Sequence, residues 1–289
     1  MRIRICTTPC LLVAVQFFAI RSMWAAEIHV DNRAGSDAFD GSAIEPQSNG
    51  IGPVRTLRRA LKLAKAADTV VLVNRGVPYY ETLQLVGSQH SGTASTKFSI
   101  VGNGAVISGA TLVPSRGWRK VGTDLWRLTP LRKGHFQLLQ HETPVPEHRY
   151  QAGTTLSGQI PPGHWCVWRG SVYFKTAALE DPRKRRFSLA SHDVGLTLFG
   201  VHDVRVVDVT FRHFRLDGIN AHDLCRNVVI ENVKSTGNGR AGLSVGGSSH
   251  VVVRNCELVD NRTHSLLISE LGGAELLDTQ VSEPPTFKK

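Results

Sequence analysis

Cysteine is scarce, at five residues in 289, and Cys6 and Cys10 fall in a basic-then-apolar N-terminal leader. The other three, Cys166, Cys225 and Cys256, are an odd number, so they are not expected to form a disulfide framework. Their spacing contains no C-x-x-C pair, which removes the familiar zinc and redox motifs. Buried thiols acting as small hydrophobes are the expectation. Long apolar runs are also missing. The stretch from Cys10 to Ile20 is too short for a bilayer span. Low-complexity tracts are absent too, so the chain reads as one globular domain, or one domain carrying an insertion.

The leader "MRIRICTTPCLLVAVQFFAIRSMWAA" has the layout of a secretory signal peptide over residues 1–26. Ala25 and Ala26 stand before Glu27, while bulky Trp24 occupies a position where a small residue is preferred. The reading is an exported protein, secreted or periplasmic, without a transmembrane anchor. The formal charge is +10 with a pI near 9.7, and removal of Arg2, Arg4 and Arg21 with the leader leaves +7. A basic excess favours acidic partners: nucleic acid, anionic lipid or an acidic polysaccharide. It also fits a solvated surface with no partner.

What the sequence does contain is a repeat. Four lines start at Gly195, Gly218, Gly242 and Ser265, spaced 23, 24 and 23 residues apart. Each opens on an apolar alternation: Leu196 and Leu198, Ile219 and Ala221, Leu243 and Val245, Leu266 and Ile268. A second alternation follows at Val204 and Val206, Val228 and Ile230, Val251 and Val253, Ala274 and Leu276. A period of two marks a strand with one buried face. Then comes one polar residue in register: Asp208, Asn232, Asn255 and Asp278. Strands that recur in register at this spacing stack as a solenoid, each pairing with its copy one coil later. The Asn/Asp column belongs at a tight bend, where these side chains tolerate left-handed backbone. The L-x-x-L-x-L-x-x-N signature of leucine-rich repeats is absent. The expected fold is all-β, a right-handed parallel β-helix.

Upstream, "GPVRTLRRALKLAKAADTVVLV" reads as an amphipathic helix N-capped by Thr56, then a strand. Such a helix would cover the open end of the solenoid. Short strands are expected at Tyr79, Phe98 and Ala105. Between Thr111 and Arg186 the register is lost among tryptophans, short β runs and proline turns. The division expected is 1–26 leader, 27–110 cap and first coils, 111–186 β-rich insertion, 187–281 late coils and 282–289 tail. Trp165 and Trp168 read as core of the insertion, and "NRT" at Asn261 fits a glycosylation acceptor.

"HVDNRAGSDAFDG" followed by the T-L-x-x-A helix and "DTVVLV" resembles the start of secreted pectate-lyase-like β-helix proteins. The stretch "FRLDGINAHDLCRNVVIENVKSTGNGRAGLSVGGSSHVVVRNCELVDN" is similar to right-handed β-helix repeat proteins of bacteria. Ala67 departs from the resemblance, standing where that strand motif usually has Gly. The resemblance implies the fold over most of residues 27–281. Its hydrolase motifs (N-T-D, D-D, G-H-G, R-I-K) and the calcium-binding aspartate clusters of pectate lyases do not occur. No metal or other cofactor is therefore expected.

Outward positions on the coil-opening strands alternate with the buried ones, and the richest polar collection lies around the strand at Gly218. Asp217, His222 and Arg240 are the candidate catalytic residues. Arg215, Asn220, Asp223, Arg262 and His264 are the candidate substrate-binding residues. A lyase needs a cation on the uronate carboxylate, from Arg240 or Arg215, and a base, from His222 or His264. A glycosidase needs two carboxyl groups, for which Asp217 and Asp223 are the candidates. The competing reading makes Asp217, His222 and Asp223 ordinary turn residues. The functions compared are binding, with or without cleavage, of an acidic polysaccharide, against a non-catalytic envelope scaffold or adhesion protein that self-associates through its C-terminal edge. No specific nucleic-acid partner is expected.

Overall fold

The computed structural model describes residues 25–153, 155–177 and 180–288. The leader, apart from Ala25 and Ala26, lies outside the described residues.

The coil-opening strands form a six-stranded parallel sheet. In spatial order it runs Leu83–Val86, Val194–Phe199, Asp217–His222, Ala241–Val245, His264–Ser269 and Thr286–Lys288. The second alternation forms a ten-stranded sheet starting from Glu27–Val30, Thr69–Leu72 and Phe98–Ser108. It continues through His202–Arg212, Arg226–Glu231, His250–Arg254 and Gly273–Leu277. Beyond the bend, Lys234–Thr236, Glu257–Val259 and Gln280–Val281 carry it onto a third face.

The apolar columns align as the 23-residue spacing requires. Leu196, Ile219, Leu243 and Leu266 are direct partners, as are Leu198, Ala221, Val245 and Ile268. All eight are buried in one core that runs the length of the solenoid. Removing such a Val, Leu or Ile side chain from water stabilises by about 1.5–3 kcal/mol, so the columns supply the main drive to stack coils. Cys225 and Cys256 sit in this core, and Cys166 is buried in the inserted region; all three thiols are free.

The bends follow from residue type. Asp208, Asn232, Asn255 and Asp278 all have φ between 47° and 54°, the left-handed region where Asn and Asp are the best tolerated non-glycine residues. Asn255 Nδ2 donates to Asn232 Oδ1 at 2.6 Å, linking adjacent coils along the column. The earlier coil turns at Asn103, φ 50°, with the register shifted between Val207 and Val209. A second ladder closes the next corner from inside. Asn261 Oδ1 accepts from Asn238 N and Nδ2, while Asn261 Nδ2 donates to Ser235 O. The amide of the N-R-T motif is thus tied into the fold.

Gly218 is forced by this corner. A Cβ there would lie 1.9 Å from Ser235 Oγ, and that buried hydroxyl is fixed by donating to Gly242 O and accepting from Asn238 Nδ2.

The capping helix spans Leu57–Leu63, with Thr56 Oγ1 accepting from Arg59 N at 3.1 Å. Its buried face is Leu57, Ala60 and Leu61. Just beyond it Ala67 has φ 64°, which explains why a glycine is usual there: only glycine enters this region without a Cβ clash.

Between residues 110 and 190 the chain leaves the solenoid. One four-stranded antiparallel sheet joins Trp118–Lys120, Leu125–Leu128, Ser171–Lys175 and Trp165–Trp168. Another joins Ala110–Leu112, Phe187–Ala190, Leu138–Gln140 and Thr143–Pro144. Trp118, Trp126, Trp165, Phe174 and Phe187 pack together as a separate core. Trp165 is buried, and its Nε1 donates to Val145 O at 2.8 Å. Trp168 is half-buried, edge-on to Tyr173 with the Arg169 guanidinium over its face. Although Leu85 and Leu198 are 113 positions apart in sequence, they pair directly, so the coils close up across the excursion.

Candidate functional site on the coil-opening sheet

The outward side chains of the opening sheet stack in columns one coil apart. Gln84, Thr197, Asn220, Ser244, Leu267 and Thr286 form one. Val86, Phe199 and His222 begin the next. Parallel pairing sets successive members about 4.7–4.9 Å apart, so side chains remote in sequence share one surface.

A shallow cavity of about 340 Å³ opens on this surface, lined by Asn220, His222, Asp223, Arg240, Glu270 and Lys288 among others. Asp217 lies beneath it, at 0% exposure, and opens the strand rather than a turn. Its carboxylate is fully engaged. Arg240 Nε donates to Oδ1 at 2.8 Å and Arg240 Nη2 to Oδ2, a bidentate pair across adjacent coils. Asn220 Nδ2 also donates to Oδ2, at 3.1 Å. Hydrogen bonding to Asp217 outweighs burial and holds the Arg240 guanidinium above its ordinary range. Arg240 is therefore a fixed, partly exposed cation.

His222 and Asp223 are the open groups of the cluster. The His222 side chain is 39% exposed, with Nδ1 3.8 Å from Asp223 Oδ1. Its ring meets Phe199 edge-to-face at a centroid distance of 4.9 Å. Phe199 is itself 43% exposed, so its ring is open to solvent beside the His222 edge contact. Asp223 holds φ 72° just past the strand's end, and its side chain is 52% exposed.

The remaining candidates lie elsewhere. Arg215 donates from Nε to Asp193 Oδ1 at 2.8 Å and from Nη1 to Lys133 O at 2.9 Å. Arg262 donates from Nη1 to Phe136 O at 2.9 Å and pairs with Glu147 at 2.8 Å. Both guanidiniums clamp segment 133–147 of the inserted region against the corner of the solenoid. His264 N donates to Arg240 O at 2.9 Å, but its ring shares a hydrogen bond of 3.1 Å with Thr286 Oγ1 and is not part of the cavity lining. The structure thus brings Asp217, Asn220, His222, Asp223 and Arg240 together, and leaves Arg215, Arg262 and His264 out of the cavity lining.

Sequence reasoning missed Glu270 and Lys288. Glu270 holds φ 58° in the same bend column as Asp223 and Gly247, and its Oε2 accepts from Gly247 N at 2.5 Å. The spacing from Asp223 through Gly247 to Glu270 carried that signal. Lys288 is partnered with Ser269, only 19 residues earlier. A strict 23-residue period places the partner of Ser269 four residues further along than Lys288. Among the described residues no group of three or more His, Cys, Asp or Glu is arranged to hold a metal ion.

Residues 182–281 match the family described as right handed beta helix region. By structure, the chain is similar to XylC in complex with xylose, with 12% identity and a TM-score of 0.57. That likeness covers 90% of this chain and 60% of XylC, so the chain spans less than two thirds of its relative's length. A GH136 lacto-N-biosidase from Eubacterium ramulus follows at 13% identity and TM-score 0.37, over 87% of this chain and 43% of that one. Pectate lyase Pel9A matches at 11% identity and TM-score 0.33, over 82% and 54%. No curated protein matches the chain. The match over residues 182–281, the fold shared with XylC and the parallel registers show that this chain folds as a right-handed parallel β-helix.

Proposed function

We propose that the chain is an exported protein that binds an acidic polysaccharide along its coil-opening sheet. One observation carries the reading: His222, Asp223, Asn220 and Arg240 converge on a single open cavity of the sheet face. The exposed Phe199 ring adds an apolar surface for a sugar, and Arg240 supplies a positive charge that Asp217 keeps in place. XylC, which shares the fold, is a complex with a sugar, xylose. The basic excess of the chain favours an acidic glycan over a neutral one. Among the described residues no helix is long and apolar enough to cross a membrane.

Cleavage by β-elimination is the catalytic form of this proposal. His222 removes the proton α to a uronate carboxylate while Arg240 neutralises the charge that develops on it; the electron pair forms the C4–C5 double bond, the C4–O glycosidic bond breaks, and the leaving oxygen takes a proton from water. The bidentate Asp217–Arg240 pair favours a second reading, binding without cleavage, because it leaves Arg240 with less charge to offer an incoming carboxylate.

The test is incubation of the protein with a panel of uronic-acid polysaccharides. Absorbance of unsaturated products, reducing ends and binding are followed together. Binding that weakens in His222→Ala and Asp223→Ala supports the reading, and unsaturated product adds β-elimination to it. Binding without either product selects the non-catalytic form. No binding to any member of the panel rejects the proposal.

A further inference from the structure

A second and larger cavity, about 780 Å³, lies where the capping helix, segment 77–82 and the first opening strand Leu83–Val86 meet. Its walls are strongly cationic. Arg33, Arg55, Arg58 and Lys62 line it, against a single carboxylate, Glu81. The four cationic residues are exposed, and none is ion-paired to a described carboxylate. Glu81 interacts with the Arg58 charge. Its Oε1 accepts from Leu57 N at 3.3 Å, and burial pushes its carboxyl up from the ordinary range.

The cavity shares a surface with the central site. Gln84 lines it and stands in the same outward column as Thr197 and Asn220. Two coil steps, about 10 Å, therefore separate Gln84 from Asn220. The coil between them carries Thr197 and the exposed Phe199. A linear glycan crossing the coils would run from one cavity over Phe199 into the other.

We infer that the cap cavity is a second subsite that holds a carboxylate-bearing sugar residue of the same acidic glycan, through Arg33, Arg55, Arg58 and Lys62. The inference rests on the proposed function and assigns the acidic specificity to the cap end of the sheet. The central cavity contributes aromatic and polar contacts, and the cap cavity contributes unpaired positive charge. Long oligosaccharides then bind better than those too short to reach both cavities, and added salt erodes the cap contribution first.

The experiment titrates the full chain with hexuronic-acid oligosaccharides of increasing length, and with neutral hexose oligosaccharides as controls. Two variants are compared with the wild type: a cap variant, Arg33→Gln with Arg58→Gln, and a central variant, His222→Ala with Asp223→Asn. All four positions are exposed or half-exposed, and a melting curve checks that each variant folds. The cap variant is expected to bind long uronate oligomers on the order of tenfold more weakly at low salt, with a shallower salt dependence. Equal affinity and equal salt dependence in the cap variant and wild type overturn the inference while leaving the proposed function standing. Loss in the cap variant with none in the central variant upholds the inference and overturns the central site. A wild type that binds no uronate oligomer overturns both.

Discussion

Arg240 closes on Asp217 from one coil away, with Nε on Oδ1 at 2.8 Å and Nη2 on Oδ2, over a carboxylate that has no exposed surface. The pair joins two coils at the corner where the opening sheet begins. It also fixes the cation of the candidate site, so stability and recognition meet in one contact.

Arg240→Ala leaves the Asp217 carboxylate buried without its counter-charge. Loss of one partner from such a pair is expected to destabilise by about 3–5 kcal/mol. Asp217→Asn keeps the shape and leaves Arg240, whose side chain is 32% exposed, to be solvated. That change should cost about 1–2 kcal/mol. Denaturant unfolding of the two variants checks the order, and an Arg240→Ala protein as stable as Asp217→Asn contradicts it.

Gly218→Ala drives a methyl group into the fixed Ser235 hydroxyl, 1.9 Å from the new Cβ. Overpacking of this kind is expected to destabilise by about 1–3 kcal/mol. Ser235→Ala removes the obstructing oxygen, so the double variant should be more stable than the sum of the single effects. A double-mutant cycle with a zero coupling energy would show that the corner relaxes freely.

Two histidines make the fold acid-sensitive. His90 accepts from Val86 N through Nδ1 at 3.1 Å and contacts Leu61 O through Nε2 at 3.0 Å, and burial pushes its pKa down. His213 is pushed down to about 4, by burial first and then by the Arg212 charge. In the unfolded chain both titrate near 6.5. The unfolded state therefore binds more protons below that value, and the stability present above pH 6.5 is lost as pH falls toward 4. For His213 the loss is roughly 3 kcal/mol when complete. His213 holds φ 58°, which Asn tolerates. Melting temperatures of His213→Asn should fall less steeply with acid than those of the wild type, and parallel curves would refute the assignment.

Ala67→Gly should stabilise the protein. Ala67 sits at φ 64° between the capping helix and the strand Thr69–Leu72. Relief of its left-handed strain exceeds the extra entropy that glycine loses on folding, for a net gain of about 0.5–1 kcal/mol. A rise in the denaturation midpoint at constant slope checks this, and a fall contradicts it.

The sequence by itself determined the coils. The alternations at Leu196, Ile219, Leu243 and Leu266 and the bend residues Asp208, Asn232, Asn255 and Asp278 state a register directly, because a strand's side-chain period is two and each coil pairs with its own copy. The clustering of Asn220, His222 and Arg240 on neighbouring coils was legible for the same reason. Only the tertiary structure decided what covers the solenoid from outside. Arg215 and Arg262 belong to the repeat by spacing, yet their guanidiniums are held by Lys133 O and Phe136 O, 82 and 126 residues upstream. A repeat period says which side chains share a column. It carries no information about a segment folded back over that column, nor about the last strand, where Ser269 meets Lys288 after a shortened coil. The cap cavity was hidden for the same reason, since Arg33, Arg58 and Gln84 lie in three separate segments that only packing brings to one wall.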